Sequence, residues 1–286
     1  MQIARKLMIL PAALLLFAIG YSGSAVAHTL KVVDGSYVEL NTLVEDLKTV
    51  DIVFIGELHG EHGHQEAQLQ IVRALHDAGV DVAIAMEMMR KEYQTVLDEW
   101  VAGSLSIAEM YSVYKKNWGM WPRYRPIFKY ARQKGIPMVG LNIPRDITGQ
   151  VAREGFASLT ESDLERLPPV QCSIDPRYED FIRRAMGMHF DRDKAFSNFC
   201  EAQLLWDKVM AVHLLEYKEK NPEKTVVVLA GSGHSWKYGI PAQVEANSDY
   251  EYLVLMPEID GRLARDTATT EEVDYLLMGV EQGPLH

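Results

Sequence analysis

Four short, nearly continuous apolar runs stand out along the chain: Asp51–Gly56 (DIVFIG), Asp81–Met86 (DVAIAM), Ile136–Leu141 (IPMVGL) and Thr225–Ala230 (TVVVLA). A strand with one wet face alternates apolar and polar positions, whereas a strand covered on both faces does not. The four runs therefore predict core strands of a parallel sheet. Tyr250–Met256 and Val273–Met278 add two weaker strand candidates near the C-terminus. Helices are predicted between the runs, at about 63–77, 91–100, 126–132 and 147–154. Strands alternating with helices give an α/β fold, a mostly parallel β-sheet flanked by helices.

The interval between the third and fourth core strands is long. It predicts a large helical insertion over about 146–222, with helices near 176–188 and 195–220 and a turn at Phe190–Lys194. On the second of these, Phe196, Phe199, Leu204, Leu205, Trp206, Val209, Val212 and Leu214 cannot share one face, so packing on several sides is expected. The interval is read as a helical insertion or subdomain beside the sheet. With no repeat, low-complexity tract or linker to divide it, the chain from 28 to 286 reads as one α/β domain.

The N-terminus has a different character. Arg5 and Lys6 precede an apolar run from Leu7 to Ile19, and Ala25-Val26-Ala27 supplies the small residues that signal peptidase requires. Residues 1–27 are expected to be a cleavable signal peptide, since spanning a bilayer takes about 20 apolar residues. No cysteine ends the run, so the expectation is a periplasmic protein that is not a lipoprotein. An oxidising compartment favours joining Cys172 to Cys200, which would add roughly 3–4 kcal/mol; two buried free thiols are the alternative. Hydrophobic residues at 48% and charged ones at 24% suit a globular protein with an ample core. The net charge of −11 argues against a nucleic-acid partner.

Polar residues collect where the core strands end. The first run leads into Glu57 and His59, the second into Glu87, the third towards Arg145, and the fourth into Gly231-Ser232-Gly233-His234. Open parallel sheets bind ligands outside the carboxyl ends of their strands, so one cleft is expected to gather these groups. His62 and His64 follow closely; a metal site and a solvated loop are both open readings, with His62 assigned to the loop. Asp207, on an apolar helix, needs a partner, either a cleft histidine or a Lys or Arg. Trp118, Trp121, Tyr111, Tyr114, Tyr124 and Tyr130 crowd one region, which ordinarily means core. Tyr178, Met188 and His189 in the insertion have the side chains of axial haem ligands.

The segments IGELHGEHGHQEAQLQIVRAL, MEM at Met86–Met88, LNIPRDI at Leu141–Ile147, AQLLWDKVMA at Ala202–Ala211 and AGSGH at Ala230–His234 together resemble the ChaN-type haem-binding uptake proteins. These lie within a superfamily that includes the Tiki, TraB and erythromycin esterase proteins. The superfamily pattern of two Gly-x-x-His motifs, a Glu and an Arg matches Gly56–His59, Gly231–His234, Glu87 (with Glu57 as an alternative) and Arg145. The resemblance implies a haem-binding protein of iron uptake, acting as a homodimer and with a haem-uptake receptor or transporter as partner. Tyr178 and His189 are the candidate haem ligands. It also implies an alternative, a metal-dependent hydrolase. There His59, His234 and Glu57 would bind a divalent Zn, Mn or Co ion, Glu57 or Glu87 would act as base, and Arg145 would stabilise an oxyanion.

Overall fold

The computed structural model describes residues 28–280, apart from 172–173, 175, 187–193 and 260. The expected signal peptide, Cys172, His189 and most of the Phe190–Lys194 turn lie outside the described residues. An antiparallel hairpin, β1 (Thr29–Lys31) and β2 (Ser36–Val38), comes first. Then follow α1 (Leu40–Leu47), β3 (Ile52–Glu57), α2 (His62–Asp77) and β4 (Val82–Arg90). A 3₁₀ turn at Lys91–Tyr93 leads to α3 (Gln94–Val101), α4 (Ile107–Asn117), α5 (Trp121–Lys134) and β5 (Met138–Asn142). Next come α6 (Arg145–Glu154), a 3₁₀ turn at Phe156–Ser158, α7 (Glu161–Leu164), α8 (Pro176–Met186) and α9 (Lys194–Lys220). The chain closes with β6 (Thr225–Gly231), α10 (Ser232–Ser235), α11 (Ile240–Glu245), β7 (Tyr252–Pro257) and β8 (Tyr275–Leu277).

The strands form one eight-stranded sheet in the order β2-β1-β8-β7-β3-β6-β4-β5. All pairings from β8 to β5 are parallel, and the β1–β2 hairpin adds an antiparallel edge. Successive residues of a strand face opposite sides. In β3, Val53 and Ile55 enter a core with α1–α5, whereas Ile52 and Phe54 enter a second core with α8, α9 and α11. All four are fully buried, which is why this strand is apolar throughout.

Helix α9 is apolar on several sides because it lies between two partners. Leu204, Met210 and Leu214 pack on the sheet side, and Ala202, Leu205 and Val209 pack with Ile147 and Val151 of α6. The longest helix of the expected insertion thus forms part of the sheet's own cover. Cys172, the expected disulfide partner of Cys200, lies outside the described residues. Cys200 is a buried free thiol, and its apolar surroundings push its pKa up to about 12. No helix among the described residues is long and apolar enough to cross a membrane.

Candidate functional site

The chain order sets the position of the site. Strands β3 and β4 are consecutive in sequence, yet β6 lies between them, so the connections diverge at the carboxyl ends of these three strands. The register places Glu57 of β3 beside Gly231 of β6, and Met86, the residue before Glu87, beside Leu229. Glu57, Glu87 and the Gly231–His234 turn therefore share one end of the sheet.

Each histidine of the cleft is held by its own carboxylate. His59 Nδ1 lies 2.6 Å from Glu57 Oε1, and His234 Nδ1 lies 2.7 Å from Asp207 Oδ1. Glu57 also accepts the hydroxyl of Tyr124 at Oε1 and Gln65 Nε2 at Oε2, the latter at 2.7 Å. Asp207 accepts the Tyr178 hydroxyl at 2.7 Å. Both Nε2 atoms then turn to Glu87, 3.6 Å from His59 and 3.8 Å from His234. The backbone N–H of Gly231 donates to Glu87 Oε2 at 2.7 Å. A Cβ at Gly231 would stand 2.7 Å from His59 Nε2, so the turn needs glycine for this approach. A second layer ties the cleft to the fold. Asn142 donates to the Glu87 carbonyl and accepts from Trp206 Nε1, both at 2.7 Å.

Burial and charge work against each other here. Burial alone pulls the His59 pKa down, but Glu87 and Glu57 outweigh it and raise it to about 10. Burial pushes Glu87 up, yet His234 and His59 bring it down to about 2. His234 is raised by Glu87 and Asp207 against the pull of burial, and burial raises Asp207. His59 thus stands as an imidazolium beside an ionised Glu87 at neutral pH.

Most sequence-predicted residues meet here. Glu57, His59, Glu87 and His234 come together, and Asp207 takes the first of its two readings, orienting a cleft histidine. Arg145 stays at the rim: its exposed guanidinium donates to the Asn117 carbonyl at 2.9 Å and lies 5.1 Å from the Trp118 ring, which meets the His59 ring edge-on at 4.9 Å. His62 opens α2, is exposed and pairs with Glu66 one turn on at 2.9 Å, so it stands apart from the cleft. His64 accepts the Leu58 N–H at 3.0 Å and is kept below its ordinary pKa by burial, so it serves the β3–α2 loop. Tyr124, Gln65 and Trp118 were not singled out in the sequence as cleft residues; aromatic crowding was the only signal for two of them.

The expected divalent ion finds no matching arrangement. Among the described residues, no group of three or more His, Cys, Asp and Glu side chains is disposed to hold a metal. Glu57, one of the expected ligands, is already engaged by Tyr124, Gln65 and His59, and the two histidine Nε2 atoms face the buried Glu87 carboxylate. Tyr178 is buried, and its hydroxyl is given to Asp207. It also lines a cavity of about 660 Å³ with Leu204, Lys208, Lys237, Tyr238 and Tyr252. The cleft between His59 and His234 is smaller, about 210 Å³.

A curated relative, RETICULATA-RELATED 5, a chloroplastic protein of Arabidopsis thaliana, is 24% identical over 255 residues, 81% of this chain. This chain spans about a third of that protein's length, 34%. The solved structure of ChaN from Campylobacter jejuni, described as binding haem cofacially, superposes with a TM-score of 0.68 at 19% identity. It covers 87% of this chain and 95% of that one. An erythromycin esterase, EreC, gives a TM-score of 0.49 at 14% identity over 81% of this chain and 76% of its own. The model of the family described as haem-binding uptake, Tiki superfamily, ChaN matches residues 43–244. With most of its length matched, the chain belongs to this ChaN family of the Tiki superfamily.

Proposed function

We propose that the protein binds haem and carries or stores it in the bacterial periplasm during iron uptake. The family match over residues 43–244 carries this reading. The cavity beside Tyr178 supports it. Its volume of about 660 Å³ falls within the ~300–1,000 Å³ of cofactor sites. Porphyrin needs apolar and aromatic walls, which Leu204, Tyr178, Tyr238 and Tyr252 provide; Lys208 and Lys237 stand beside them with Glu245 and Glu271, Lys237 being paired with Asp274 at 2.6 Å. The aromatic walls suit the face of a porphyrin. Because the Tyr178 hydroxyl is held by Asp207, Tyr178 acts as a wall that joins this cavity to the histidine cleft. The Arg5–Ala27 leader supports export. A second copy of the chain and a receptor or transporter complete the proposed path.

The test is a haem titration of wild type and of Ala242→Trp, a substitution that fills the cavity wall. Wild type is expected to show a saturable Soret shift, and the variant a large loss of affinity with its fold intact. Equal binding by both places haem elsewhere, and no binding by wild type ends the reading.

One observation favours a second reading. Two imidazole–carboxylate pairs around Glu87 are more than a haem carrier needs. In a hydrolase built on this cluster, the Nε2–H of His59 would stabilise or protonate a developing oxyanion, and Arg145 at the rim would bind an anionic substrate group. Ester hydrolysis lost in His59→Gln supports it; hydrolysis unchanged in that variant removes it.

A further inference from the structure

Neither the cleft nor the cavity uses the outer face of α4 and α5. Residues 115–134 hold seven Lys and Arg and no Asp or Glu, in a chain whose acids outnumber its bases by 40 to 29. Among the described residues, none of these seven cations is ion-paired. Arg132 donates to the Leu105 and Gly103 carbonyls at 2.6 and 2.9 Å. Lys115 and Lys134 lie near the Tyr111 and Tyr130 rings. Lys116, Arg125 and Lys129 are exposed, and Arg123 is half-buried. Glu109, the nearest acid on α4, is engaged in the capping box with Ser106.

Helical spacing turns these residues into stripes. On α4, Ile107, Tyr111 and Lys115 fall four apart and are exposed; on α5, Pro122, Arg125 and Lys129 do the same at three and four. The Tyr111 and Trp121 rings, 6.0 Å apart, join the two stripes. Ile107, Tyr111 and Met120 are 46%, 45% and 45% exposed, half of the six large apolar side chains exposed among the described residues. Met120 has φ of 57°, the only positive value for a non-glycine among the described residues. The turn between the helices is held in a strained conformation that leaves this side chain outside.

Apolar and aromatic groups ringed by unpaired cations match a phospholipid headgroup layer, where rings and aliphatic chains sit at the interface and cations meet phosphate. A small acidic solute would use the cations alone. We propose that the α4–α5 face docks the protein on a membrane surface rich in anionic phospholipid. Because α8, α9 and α11 cover the opposite face of the sheet, the large cavity then stays open to solvent.

The experiment is co-sedimentation of protein, purified in the form its cell produces, with phosphatidylglycerol-containing and pure phosphatidylcholine vesicles. Binding to the anionic vesicles only, weakened by salt, is expected. The triple variant Lys116→Gln/Arg125→Gln/Lys129→Gln should bind about a hundredfold more weakly, at about fivefold per cation. The control triple Lys48→Gln/Lys220→Gln/Arg265→Gln should bind as wild type does, and circular dichroism verifies the fold of both. No binding, equal binding to neutral vesicles, or insensitivity to the first triple overturns the proposal. So does soluble polyglutamate binding as tightly as vesicles, which assigns the face to an acidic protein.

Discussion

Substituting Glu87 by Gln removes the one negative charge that both cleft histidines face, while keeping the size and an acceptor for the Gly231 N–H. In wild type, Glu87 contributes more than Glu57 to lifting His59 from its ordinary 6.5 to about 10. Without that charge, burial regains ground and the His59 pKa should fall by at least about one unit, each unit being ~1.4 kcal/mol. Breaking a buried ion pair by removing one partner costs about 3–5 kcal/mol, and the 30% exposure of the His59 side chain favours the low end. A loss of about 3 kcal/mol corresponds to roughly 6–12 °C in Tm for a chain of this size. The pH dependence has a definite sign. A raised histidine stabilises fully below its unfolded pKa near 6.5 and loses that contribution as pH climbs towards about 10. A depressed carboxylate stabilises fully above its unfolded value near 4.5 and loses it as pH falls towards about 2. Wild type should therefore be most stable between pH 4.5 and 6.5 as far as these two groups decide. The variant should lose the acid limb that Glu87 contributes and complete its alkaline loss earlier. Imidazole NMR between pH 5 and 11, with urea unfolding across the same range, reads both effects. An unchanged His59 titration together with an unchanged stability profile refutes the electrostatic account of the cleft.

Other substitutions test neighbouring contacts. Gly231→Ala places a methyl 2.7 Å from His59 Nε2, so it should cost about 1–3 kcal/mol and shift the His59 ring resonances. Tyr178→Phe removes the donor to buried Asp207, and urea unfolding should show a loss of about 1–3 kcal/mol. Phe54→Ala empties a fully buried position between sheet and helices and should cost about 3–5 kcal/mol by the same measurement. Cys200, buried with its pKa pushed up to about 12, should react with a thiol reagent only after unfolding.

Much of this architecture is legible in the sequence because burial on both faces leaves a plain mark. DIVFIG, DVAIAM and TVVVLA become β3, β4 and β6, adjacent in the sheet although β6 is remote in the chain. The polar residues after those runs are legible for the same reason, since strand ends that are not apolar must face something else. What pattern could not give is order: nothing in the runs places β6 between β3 and β4, because sheet order depends on the connections. The short hairpin β1–β2 leaves no such mark, because three-residue strands carry too few positions to show a period. Tyr124 leaves none either, because a tyrosine that holds a carboxylate and one that fills a core have the same helical spacing. Tyr178 was singled out for its side chain, but its hydroxyl meets a carboxylate brought close by α9, a contact 29 residues away in sequence.

The most direct measurement is haem bound at equilibrium, by dialysis of the wild-type protein against increasing free haem with the bound fraction assayed by absorbance. Saturation at a fixed ratio of haem to protein is the result the account predicts. A bound amount that rises without saturating, or stays at the level of a non-binding control protein, contradicts it.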